Sequence, residues 1–121
     1  MYLTADEILG ADDLKSEDVP VPEWGGTVRV QGMTGAARDK FEDSMMNDKL
    51  DGVARNKALD NYRARLAVLC MVDAEGKRLF RSDAETRRLG QKSAEALNRV
   101  VEVASRLSGL TSDDVEELTG N

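Results

Sequence analysis

The sequence predicts an α+β fold: an N-terminal β-hairpin followed by a mostly α-helical bundle of about four to five helices. Three observations point there. Val19–Pro22 and Thr27–Gln31 alternate apolar and polar residues on either side of a Pro22-Glu23-Trp24-Gly25-Gly26 turn, and short alternation broken by Pro and Gly marks a hairpin. From Thr34 onward apolar residues recur at spacings of three and four, the helical period. Capping residues punctuate that stretch at Thr34, Ser82, Ser93 and Gly109, where helices should begin or end.

A length of 121 residues fits one domain with a modest core. Aromatics are only 4%, so Leu, Val, Ala and Met must fill that core. We divide the single domain into a short helix and acidic connector (1–18), the hairpin (19–33), a helical core (34–110) and a short acidic C-terminal helix (111–121). No apolar run approaches the ~18 residues of a membrane span, and the acidic start MYLTADEILGADD lacks the basic and apolar regions of a signal peptide. One cysteine, Cys70, makes no intrachain disulfide framework. A cytoplasmic location fits these features, and no membrane partner is expected.

Taken in order, Thr4 with Glu7 fits a capping box, opening a helix of one or two turns that Gly10 stops. Ile8 and Leu9 are expected to dock it on the body. In the hairpin, Pro20 and Pro22 cannot donate to a ladder, so the first strand should be an edge. Val28 and Val30 share one face of the second strand, Arg29 and Gln31 the other. A helix over Thr34–Met46 places Ala37, Phe41, Ser44 and Met45 on one side. Asn47–Asn56 breaks the pattern and reads as a loop. Lys57–Val72 is expected to be a helix with a Leu59, Tyr62, Leu66, Leu69, Cys70 stripe; its all-apolar end leaves a strand over Leu66–Val72 as the alternative. Asp73–Gly76 is a tight turn. Ser82 and Glu85 form a second capping box for a helix reaching Leu89–Gly90. Ser93 caps Ala94–Ser108, with Leu97, Val100, Val101, Ala104 and Leu107 on its apolar face and Gly109 at its end. Thr111 caps a last acidic helix over Ser112–Leu118.

The chemistry of catalysis is not legible. The chain has no His, the commonest general base and zinc ligand. Cys70 lies on an apolar stripe, which suits a buried thiol rather than a nucleophile. Gly25-Gly26 lacks the Lys-Ser/Thr of a phosphate loop, and the Asp48–Gly52 cluster puts Lys49 and Ala58 where a calcium loop needs oxygen ligands. No enzyme, metal or cofactor is expected. Net charge is −6 and uneven. Residues 1–24 hold seven acids against Lys15 alone, residues 55–92 hold ten bases against five acids, and the tail after Leu110 holds four acids. Acidic ends set against a basic middle suggest weak head-to-tail self-association. Ser82–Gly90 and Ser93–Ser108 could mimic a DNA-reading helix-turn-helix with Arg87, Arg88, Lys92 and Arg99 nearby, but overall acidity opposes phosphate binding, and no nucleic-acid partner is expected.

Val21–Glu42 carries Pro22, Glu23, Trp24, Gly25, Gly26, Val28, Val30, Thr34, Gly35, Arg38, Asp39, Phe41 and Glu42 in an order that resembles the opening block of the tail assembly chaperones of long-tailed, siphovirus-type bacteriophages. Ala64–Leu110 is similar to the family's second half, through the Asp73-x-x-Gly76-x-x-Leu79-Phe80 turn and the Leu89-Gly90-x-Lys92-Ser93-Ala94-x-Ala96-Leu97 helix start. Ala37 departs from it, standing where Glu is expected. The resemblance implies a non-enzymatic protein of the infected host's cytoplasm, absent from the mature virion. It would bind the tape measure protein, keep it soluble, and help recruit tail tube protein around it; a longer frameshifted form, which members often have, is one route to the tube. The alternatives are a structural tail or connector protein of the virion and the helix-turn-helix regulator.

Five residues are candidates for partner binding. Trp24, in the hairpin turn, either covers the core or anchors a partner. Met45, Met46, Leu50 and Val53 flank or occupy the 47–56 loop, where pliant apolar side chains could accept many client sequences. Met33 and Met71 would add to that pliancy.

Overall fold

The structure, a computed structural model, describes residues 1–47 and 61–110. Its elements run α1 (Ala5–Leu9), β1 (Ser16–Val21), a 3-10 turn (Pro22–Trp24), β2 (Gly26–Gln31), α2 (Gly35–Asn47), α3 (Tyr62–Cys70), β3 (Met71–Val72), α4 (Asp83–Leu89) and α5 (Ala94–Leu107). This is the α+β architecture expected, with two differences in the sheet. The hairpin begins three residues early, at Ser16, and it gains a third strand.

The strand order is β1-β2-β3, antiparallel throughout. β1 is an edge, and Pro20 sits on it, as its missing N–H requires. Val19 pairs with Val28, and Val30 with both Glu17 and Met71. The two-residue period therefore turns Val19, Val21, Val28 and Val30 to one face; Val19, Val21 and Val30 are buried. Arg29, on the opposite face, meets Asp18 at 3.3 Å and donates to the Ala74 carbonyl at 3.1 Å.

The long apolar run resolves both ways. Helix α3 ends at Cys70, and Met71–Val72 pass straight into β3 against Arg29 and Val30. Neither the helix over Lys57–Val72 nor the strand over Leu66–Val72 describes it alone; residues 57–60 lie outside the described residues. Buried Ala64, Leu66, Ala67, Val68 and Cys70 cover most of the α3 circumference, as befits a helix packed on several sides. Asp73 then closes the turn: its carboxylate accepts from the backbone N–H of Glu75 and Lys77 at 2.9 and 3.0 Å.

Helix α5 is the centre of the packing, in contact with β1, β2 and α3. Ala96, Leu97, Val100 and Ala104 are buried; Val101, Val103 and Leu107 are half-buried at the margin. Its ends are held as the sequence predicts. The Ser93 hydroxyl accepts from Ala96 N–H at 3.3 Å. Beyond the C-terminus Gly109 takes φ +73°, a left-handed conformation natural to glycine, so that Leu110 and Gly109 N–H reach the Ser105 and Arg106 carbonyls. The capping boxes at Thr4–Glu7 and Ser82–Glu85 are both present, and Thr34 caps α2 through Ala37 N–H.

One contact fixes how closely the sheet approaches α5. A side-chain carbon on Gly32 would stand 2.5 Å from the Leu107 carbonyl oxygen, so only glycine lets β2 end there. The next residue, Met33, donates its N–H to the Ser108 hydroxyl at 3.0 Å. On the other flank of α3, Phe41 and Met45 of α2 are buried, and the Phe41 ring lies 6.0 Å from the Tyr62 ring in a tilted pair.

Candidate functional site

The hairpin turn is the best-defined surface feature. Pro22 starts the 3-10 turn, and Trp24 follows, half-buried against the core. Between them Glu23 receives two hydrogen bonds from the Arg99 guanidinium of α5, at 2.8 and 2.9 Å. Those bonds hold the Glu23 carboxyl well below its usual range, at about 2. Two turns further along α5, Arg106 reaches Glu17 of β1 at 2.7 Å. The hairpin is thus strapped to α5 at both of its ends, and Trp24 follows directly on the Glu23 strap.

The other partner-binding candidates are not assembled around it. Met45 has no exposed surface; the structure makes it a core residue, because the face of α2 that carries Phe41 also carries Met45. Met46 stands on the last turn of α2 with its side chain outside the described residues, as are Leu50 and Val53. Met33 and Met71 are core residues too, so three of the four methionines considered for client plasticity pack the interior.

The surface that sequence reasoning missed is α1. Ile8 and Leu9 do not dock: they are 56% and 83% exposed, and Met1, Tyr2 and Leu3 before them are exposed as well. Nothing local distinguishes an apolar pair that finds a surface from one that does not, so the expectation of docking is corrected only in three dimensions. At the root of this segment a cleft of about 300 Å³ is lined by Asp13, Leu14, Lys15, Met33, Thr34, Gly35 and Leu107.

The described residues offer little reactive chemistry. No group of three or more His, Cys, Asp or Glu among them could hold a metal ion. Cys70 is fully buried, and that burial pushes its thiol up to about 11, so it stays protonated and unreactive at neutral pH. In α5, the helix that a DNA-reading motif would insert into a groove, the apolar face is covered by the sheet and α3, and Arg99 is engaged with Glu23. Its outward face presents Glu95, Asn98, Glu102 and Arg106, two carboxylates that phosphates would repel. No described helix is long and apolar enough to cross a membrane.

The described residues form a small α+β scaffold with a hairpin strapped to its central helix and an exposed apolar segment at the N-terminal side. The particular family follows from comparison. The sequence profile of the phage tail assembly chaperones matches residues 10–120, and the chain belongs to that family. Its fold is similar to that of the bacteriophage HK97 tail assembly chaperone, with a TM-score of 0.59 and 17% identity over 84% of this chain and 94% of that one. No curated protein matches the sequence.

Proposed function

We propose that this tail assembly chaperone binds the tape measure protein in the host cytoplasm, keeps it soluble, and helps bring tail tube subunits to it. Family membership over residues 10–120 is the observation that carries the reading. A chaperone of tail assembly needs a client with apolar surface that later becomes enclosed. The tape measure chain is such a client, being long, helical and prone to aggregate until the tube surrounds it. Recruitment of tube subunits, through a longer frameshifted form where one is made, is the second half of the same role.

The test is co-expression of the chain with the tape measure protein of the same phage. The expected result is a rise in soluble tape measure protein and its co-purification with the chain. Insoluble tape measure protein at equal expression would refute the reading. The rival reading, a structural tail or connector protein, differs in outcome: a chaperone leaves before the tail is finished and is absent from purified particles.

A further inference from the structure

We infer that residues 1–9 are a docking arm for the client, and that the arm takes a helical segment whose apolar stripe is bordered by Lys or Arg. The inference rests on the client-binding reading above and assigns it a surface.

Six large apolar side chains are exposed among the described residues, and five of them are Met1, Tyr2, Leu3, Ile8 and Leu9. Exposed apolar residues scattered singly are ordinary; five within nine positions form an interaction surface. The helix within this segment is deliberately specified. Thr4 and Glu7 cap each other's backbone at 3.2 and 3.0 Å, and Gly10 closes the other end. Yet five helical residues do not hold together in water by themselves, because short helices depend on packing for their stability. No residue of α1 is buried, and none belongs to the core or its margin. Among the described residues the caps of this helix are present, but the surface it would pack on is not.

The arm's charge selects the partner. In α1, Ala5, Ile8 and Leu9 fall on one face at spacings of three and four. Asp6 borders that face beside Leu9, and exposed Asp12 and Asp13 follow in the connector, with no base before Lys15. An incoming helix laid along Ile8 and Leu9 therefore meets carboxylates at its margin. Lys or Arg bordering its own stripe would be drawn in, and Asp or Glu would be repelled.

The experiment compares the wild-type chain with Ile8→Ser/Leu9→Ser and Asp6→Lys/Asp12→Lys/Asp13→Lys, each co-expressed with the tape measure protein of the same phage. Each chain is also studied alone by thermal unfolding and sedimentation velocity. Because Asp6, Ile8, Leu9, Asp12 and Asp13 are all exposed, both variants should unfold at the wild-type temperature and sediment as wild type does. The apolar variant should hold the client at least about tenfold more weakly, the scale set by removing two Ile/Leu-sized side chains from an interface. The charge variant should also weaken it, and should lose the salt sensitivity of the wild-type complex. Failure of the wild-type chain to solubilise the client overturns the functional reading, and the arm falls with it. If wild type succeeds and the apolar variant does equally well, the arm alone is wrong. A lowered unfolding temperature would make the arm part of the body. Altered sedimentation with unchanged client binding would make a second copy of the chain its occupant. Either result overturns the inference.

Discussion

Replacing Gly32 by Ala tests how tightly the sheet is pressed on α5. Gly32 does not have a positive φ, so backbone strain is not at issue. On unfolded-chain entropy alone, Gly→Ala should stabilise by about 0.4–1 kcal/mol. The structure reverses that sign. The new methyl would stand 2.5 Å from the Leu107 carbonyl oxygen, whereas ordinary contact begins at 3.4 Å. One partner must retreat by about 0.9 Å, the difference of those distances. The obstacle is backbone, and its neighbourhood is pinned by Met33 N–H on Ser108 and Gly32 N–H on the Lys15 carbonyl. Overpacking of this kind costs roughly 1–3 kcal/mol. Urea unfolding reads it as a midpoint drop of roughly 0.5–2 M at ordinary denaturant slopes. Gly26→Ala is the control, since a methyl there meets nothing within 4 Å; it should be neutral or slightly stabilising. Leu107→Ala should not rescue the Gly32 variant, because the clash is with a carbonyl. A Gly32→Ala protein as stable as Gly26→Ala would refute the close approach.

Further outcomes can be checked. Leu66→Ala should cost about 2–5 kcal/mol in the same unfolding assay, while Val101→Ala, half-buried rather than mid-stripe as its spacing suggests, should cost only about 0.5–1.5 kcal/mol. The carboxyl of Glu23, lowered from 4.5 to about 2, stabilises the fold fully above its unfolded value and loses that contribution as pH falls toward its folded one. Thermal midpoints of wild type and Glu23→Gln should therefore converge between about pH 5 and about pH 2, and a constant gap would refute the Arg99 strap. Weak head-to-tail association, if charge drives it, should shrink as salt rises in light scattering at several concentrations; oligomers that grow with salt would point to apolar contacts instead. Arg87→Ala/Arg88→Ala should leave chaperone function intact, and salt-sensitive duplex DNA binding abolished by that pair would revive the regulator reading.

What could be read from sequence was local. The Thr4–Glu7 and Ser82–Glu85 boxes, the Ser93 cap and the Gly109 stop each depend on residues three or four apart, and all are found in place. The passage from helix to strand at Cys70–Met71 was not legible. Its period is ambiguous, and the strand exists because Met71 and Val72 pair with residues some forty positions earlier. The straps joining Glu23 to Arg99 and Glu17 to Arg106 span 76 and 89 residues and leave no trace in local pattern. At the candidate site the limit was the same. Periodicity puts Met45 on a face with Phe41, but only packing shows that this face is interior. Spacing gives α1 an apolar face, but only the fold shows that this face is left exposed by the described residues.

The strapping of the hairpin to α5 also sets the order in which the protein can mature during synthesis. Val19, Val21 and Val30 leave the ribosome early, yet the helix that covers them arrives some seventy residues later. A two-stranded hairpin is marginal without a packing partner, so the nascent chain carries that valine face without the cover of α5 until that helix has been made. Contacts of such long sequence separation also fold slowly. The contacts of α5 with β1 and β2, and of its two arginines with Glu17 and Glu23, can form only once α5 has been made. Fragments that stop short of Ala94 should therefore recover no folded hairpin.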